Sequence, residues 1–116
     1  MWTRTKRRNK MVSFEDFKKL DLKVAEIKEV NDHPNADRLY VITVDLGDRT
    51  KQVVAGIKNS YQKDELVGQQ VVLVDNLEPA QLRGVESQGM ILAASDDQGV
   101  CIIMPQRKVK LDSTVK

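Results

Sequence analysis

One cysteine, one histidine and three prolines stand in 116 residues, and aromatic side chains make up 4% of them. Each scarcity removes a class of protein. A lone cysteine, Cys101, excludes a disulfide framework and points to a reducing, cytoplasmic setting. Its apolar neighbours Val100, Ile102 and Ile103 mark it as a small core residue of a strand. One histidine and one cysteine, far apart, lack any zinc-ligand spacing, so no metal or other cofactor is expected. His33, ahead of Pro34 in a loop, is expected to hydrogen-bond the local backbone. Scarce aromatics argue against a platform that stacks a run of bases. No apolar run is long enough to cross a membrane, and none follows the basic N-terminus as in a secretory signal, so no membrane partner is expected.

Hydrophobic residues make up 41% and charged residues 31%, which suits one folded domain with one core. The net charge of +2 is unevenly spread. Arg4, Lys6, Arg7, Arg8 and Lys10 give the first ten residues +5, which leaves −3 for the rest. Binding to nucleic acid therefore needs cations gathered on one surface, or supplied by this arm. Residues 1–12 read as a basic, disordered arm and residues 13–116 as the domain.

The pattern along the domain is mostly that of strands. Ser13 is a helix N-cap, with Glu15 and Asp16 in the first turn. Phe14, Phe17 and Leu20 recur at helical spacing, which predicts a short amphipathic helix packed on the core. The apolar parity then switches between Leu22, Val24 and Ala25, Ile27, which predicts a β-bulge near Val24 and Ala25. After that first strand, strands are predicted over 39–46, 50–55, 70–75, 90–95 and 100–104, with a loop and short helix over 56–67 between the third (50–55) and fourth (70–75). The fold class is all-β with one or two short helices. Among small barrels, the OB-fold fits best: a five-stranded Greek-key barrel, here with a C-terminal extension.

No Gly-rich phosphate loop and no nucleophile set are present, so neither an enzyme nor a small-molecule substrate is expected. Glu78 and Glu86 read as solvated carboxylates and not as a catalytic pair. The informative segment is the polar connection over 76–89, between the apolar runs 71–74 and 91–94. Connections this long are more often functional than idle. It offers an amide (Asn76), a guanidinium (Arg83) and a hydroxyl (Ser87), with Met90 at its lip. Lys51, Lys58, Lys63 and Arg83 would line one groove if the third strand, the loop after it and this connection converge. Cations there would hold phosphates. Asn76 and Ser87 would reach sugar or phosphate oxygens, and Met90 would pack on a base or ribose. Without aromatics, such a groove suits a structured RNA shape better than a general single strand. Taken singly, each of these cations reads as a solvated surface charge.

Four ordered blocks carry a family resemblance. They are residues 21–27 (DLKVAEI), 33–39 (HPNADRL), 54–57 (VAGI), and 76–79 (NLEP) running on through 83–94 (RGVESQGMILAA). Together they resemble the tRNA-binding domain family over residues 13–116. The resemblance implies an OB-fold that binds tRNA non-catalytically, at the outer corner of its L shape and with little dependence on sequence. It implies RNA-binding roles for Asn76, Arg83, Ser87 and Met90, and less firmly for Lys51 and Lys58. The ending over 105–110 and 115–116 resembles the branch linked to methionyl-tRNA synthetase. That implies a homodimer, with residues 100–116 at its interface, and the synthetase's catalytic subunit as a further partner. Other branches imply a peptide- or protein-binding module of chaperone-like or cytokine-like type. One departure stands out. Where the family often has a basic residue and methionine before Arg-Gly, this chain has Gln81 and Leu82, so Arg83 or the arm must supply more of the charge.

Overall fold

The computed structural model describes residues 10–116. The basic arm lies outside the described residues, apart from Lys10, Met11 and Val12, which are exposed. Helix α1 (Phe14–Phe17) starts where its cap predicts, and Ser13 Oγ accepts from Asp16 N at 3.0 Å. Strands β1 (Leu22–Asp32), β2 (Tyr40–Asp45) and β3 (Thr50–Ala55) form an antiparallel meander. Helix α2 (Lys63–Leu66) follows, drops Leu66 into the core, and is capped by Glu65 Oε1 accepting from Gln62 N. Then come β4 (Gln70–Val74), β5 (Ala80–Leu82), β6 (Val85–Ser87), β7 (Met90–Ile91), β8 (Ala93–Asp96), β9 (Gly99–Ile102) and β10 (Thr114–Val115). The main sheet runs β3-β2-β1-β4-β7, with β10 on the free part of β1. β5 with β6 and β8 with β9 are separate hairpins.

The sheet curls until the segment from β6 to β7 reaches β3. Gln52 N donates to Gln88 Oε1 and Gln88 N donates to Gln52 O, both at 2.8 Å. Val54 N donates to Ser87 Oγ at 2.9 Å. These bonds close an OB-like barrel of antiparallel strands with two short helices, the architecture expected from the sequence.

Three expectations are corrected. The parity switch in β1 is not a bulge at Val24, because that region pairs in unbroken register with β4, from Leu22 opposite Val74 to Glu26 opposite Gln70. Both parities are apolar because both faces are covered. Ala25, Ile27, Val71 and Leu73 point into the main core, while Leu22, Val72 and Val74 form a second cluster under Leu92 and Val115. The bulge lies further along, where Lys28 is the extra residue between Ile27 and Glu29 opposite β2, so that Ile27 and Val30 both face inward. Helix α1 buries none of its residues, so it does not pack on the core. Cys101 is exposed, because side chains alternate along β9 and Ile102 takes the inward position.

Closure leaves little room at Gly89. A Cβ there would lie 2.9 Å from the Val74 carbonyl oxygen and 3.1 Å from Leu73 Cδ1. Gly89→Ala is expected to lower stability by about 1–3 kcal/mol, read as a reduced urea midpoint. An unchanged midpoint would mean that β4 can yield to the added methyl.

Candidate nucleic-acid interface

The connection over 76–89 is not an open loop. Its centre is the β5–β6 hairpin, turned by Arg83 and Gly84, both at positive φ (55° and 91°). This is the two-residue turn that the strand twist favours, and Gly84 suits it. Arg83 does not suit it. A non-glycine residue in that region costs about 1–3 kcal/mol. The neighbouring loop holds it there. Asn35 Nδ2 donates to Arg83 O at 3.2 Å, and the Arg83 guanidinium donates back to Asn35 O at 3.3 Å.

His33 fixes the same contact from beneath, as a backbone ligand. The buried ring accepts from Asn35 N through Nδ1 at 2.9 Å, so its proton sits on Nε2, which donates to Leu82 O at 2.8 Å. One side chain therefore ties the β1–β2 loop to the hairpin. At the far end of the connection, Asn76 Oδ1 accepts from Asp21 N at 2.8 Å and its Nδ2 donates to Lys19 O at 2.7 Å. Ser87 is buried, accepts from Val54 N and donates to Gly89 O at 2.9 Å. Asn76 and Ser87 thus have internal partners and act as anchors of the connection. Met90 is 46% exposed and shares with Val54, Leu77, Leu82 and Ser87 an apolar cavity of about 250 Å³.

The lysines do not converge on this cavity. Lys51 Nζ lies 2.7 Å from Asp75 Oδ1 and donates to Asp75 O at 2.6 Å. Arg49 reaches Asp75 Oδ2 at 2.5 Å and Asp112 Oδ1 at 3.3 Å. Burial alone would raise the Asp75 carboxyl, but the Lys51 ammonium and the hydrogen-bonded Arg49 guanidinium outweigh it and hold the group below the ordinary carboxylate range. Asp75 Oδ1 has no hydrogen bond of good angle, so the Lys51 ammonium meets its charge as an ion pair. Lys58 and Lys63 sit elsewhere, each 3.2 Å from the Asp32 carboxylate. Hydrogen bonds from Lys58 first, and then Lys63, lower the Asp32 pKa.

Arg83 differs from these lysines. Among the described residues it has no carboxylate within ion-pair distance, and neither do Arg38, Arg107, Lys108 and Lys110. Arg38 and Arg83 line one open cleft of about 400 Å³ with Asn35 and Asp37. Residue type alone does not separate a neutralised lysine from a free arginine. Position in a turn does not separate them either, since Arg49 and Lys58 lie in turns and are paired; only the tertiary contacts do. Among the described residues no cluster of His, Cys, Asp or Glu could hold a metal ion.

A barrel closed by side chains, with a pinned hairpin and two free arginines at its rim, has the build of an OB-like oligonucleotide binder. Comparison with known proteins narrows the class. Residues 22–113 match the family model described as a putative tRNA binding domain, and the chain belongs to that family. It is 59% identical over 105 residues to a methionine–tRNA ligase of Thermococcus kodakarensis, covering 90% of this chain and 14% of that protein. The chain thus spans about one seventh of the curated relative's length. A methionyl-tRNA-synthetase-related protein of Pyrococcus horikoshii has the same fold at TM-score 0.85 and 30% identity, covering 92% of this chain and 99% of that one. The CsaA chaperone protein of Picrophilus torridus superposes at TM-score 0.86 and 31% identity, covering 91% and 100%.

The Asp75 network links stability to pH. Folding depresses this carboxyl, so its contribution is present above about pH 4 and is lost as pH falls below that value. Asp75→Asn is expected to destabilise at pH 7 by about 1–3 kcal/mol, with the gap to wild type narrowing below about pH 4. Urea unfolding of both proteins from neutral to acid pH checks this, and a gap that stays constant would show that the network does not stabilise through charge.

Proposed function

We propose that this domain binds tRNA without catalysis, reading the shape of its outer corner largely independently of sequence. It serves methionyl-tRNA synthetase as a subunit or appended domain, and it works in the cytoplasm. The family match over 22–113 carries the reading, and the free arginine on the pinned hairpin supports it. Rigid presentation of Arg83 suits phosphate binding, because the cost of ordering the loop is met on folding. Met90 and its cavity would take a ribose or base face. Lys51 and Lys58 would act only by exchanging Asp75 or Asp32 for phosphate, while Asn76 and Ser87 hold the connection in place. A modest module suffices, since tethering makes its binding effectively intramolecular.

The test is filter binding of the chain to bulk tRNA across a salt series, with unstructured RNA of equal length as competitor and with or without residues 1–10. Preference for folded tRNA that survives loss of the arm is expected. Arg83→Ala should weaken binding and reduce the slope of log affinity against log salt by about 0.7–0.9, one phosphate contact. An unchanged slope would remove Arg83 from the interface. The CsaA neighbour and the apolar cavity favour a second reading, a peptide-binding groove. Salt-insensitive capture of unfolded polypeptide, with no preference for folded tRNA, would replace the first reading with the second.

Homodimerisation belongs to the same proposal. Met11, Val12, Phe14, Phe17 and Leu20 are exposed, and α1 with β10 frames an apolar cavity of about 360 Å³. Within residues 100–116, β10 is the part beside this face, and a second copy would cover it. Phe14→Glu with Phe17→Glu is expected to give monomers in sedimentation equilibrium with an unchanged far-ultraviolet spectrum. Dimers that persist in this variant would place the interface elsewhere.

A further inference from the structure

From the cleft between the β1–β2 loop and the β5–β6 hairpin, we infer a subsite for one ribose-phosphate unit of RNA, with Arg38 and Arg83 on the phosphate and Asp37 on the ribose 2′-hydroxyl. The inference rests on the tRNA-binding reading and adds two residues and a chemical selectivity to it.

Three observations support it. First, Arg38 and Arg83 line the same open cleft, and among the described residues neither guanidinium has a carboxylate within ion-pair distance. Two guanidiniums without an ion pair on one cleft leave charge available for an anion, and the guanidinium fork matches the oxygens of a phosphate. Second, both walls are fixed. His33 and Asn35 bridge the loop to the hairpin, and the turn carrying Asp37 and Arg38 is closed by Leu39 N donating to Ala36 O at 3.4 Å. The opening is therefore set before ligand arrives. Third, Asp37 shares the rim, is exposed, and makes no ion pair or side-chain hydrogen bond among the described residues. A lone carboxylate would oppose a bare phosphate. It accepts readily from a hydroxyl one sugar away, and on a nucleic acid only RNA offers the 2′-hydroxyl. The pairing of two cations with one carboxylate thus fits a ribonucleotide better than a free anion or a deoxyribonucleotide.

Filter binding with the whole chain tests this, using bulk tRNA and a DNA of tRNA sequence as probes. Arg38→Ala is expected to weaken tRNA binding about tenfold and to lower the salt slope by about 0.7–0.9. The Arg38→Ala/Arg83→Ala double variant should lose no more slope than either single variant, because both hold one phosphate. Asp37→Ala should weaken tRNA but not DNA, shrinking the RNA preference about tenfold. The Arg38 and Asp37 side chains are exposed, so an unchanged urea midpoint is expected for their single variants. Wild-type binding to tRNA together with an unaffected Arg38→Ala, or with an unaltered RNA preference in Asp37→Ala, overturns the subsite and leaves the tRNA reading in place. Absence of wild-type binding to tRNA at low salt defeats the reading itself, and the subsite with it.

Discussion

The barrel depends on a closure in which one backbone bond is completed by two side chains. β7 is two residues long and pairs with β4, so it cannot also form a full ladder with β3. Gln88 and Ser87 supply the missing acceptors for Gln52 N and Val54 N. An edge strand left open exposes unpaired groups, a standing liability. Here two side chains cap that edge and hold the hairpin beside the core. The position of Arg83 follows from this. The hairpin leaves the barrel at a fixed place, and His33 and Asn35 fix its tip.

Charge is sorted by the same geometry. Acidic residues near the strand ends take up the cations that the fold brings close to them. Asp75 receives Lys51 and Arg49, and Asp32 receives Lys58 and Lys63. Paired cations at a surface contribute little to folding and have less attraction left for an anion. Arg38 and Arg83 escape this neutralisation, whereas Arg49, in the turn between β2 and β3, does not. A body whose net charge without its first ten residues is −3 can still present a local cationic edge, provided the unpaired cations gather there.

Much of this was legible in the residues. Strand positions, the helix cap at Ser13 and the OB-like class follow from periodicity and turn chemistry, because local preference and final structure agree. The failures have a common cause. Parity at Val24 and Ala25 cannot distinguish a bulge from a strand covered on both faces, and the covering residues Leu92 and Val115 come from distant parts of the chain. Cys101 sits in an apolar run, yet a hairpin standing off the main sheet turns alternate residues to solvent. The connection over 76–89 hid a hairpin, because Arg-Gly is a weaker turn signal than Asn-Gly. Residue type also could not show that Lys51 pairs with Asp75 and Lys58 with Asp32, since these are tertiary contacts that no local pattern encodes.

β1 pairs with β10 at its very start, Leu22 opposite Val115 and Lys23 opposite Thr114. The path into the barrel and the path out of it therefore lie side by side. Polypeptide joined before β1 and polypeptide joined after β10 would both attach at one spot, as to a pendant on a single cord. Such a mounting leaves the barrel free to swivel as a unit and constrains its reach by one pivot instead of two. A longer protein can thus gain or lose this barrel at either end without rerouting the rest of its chain.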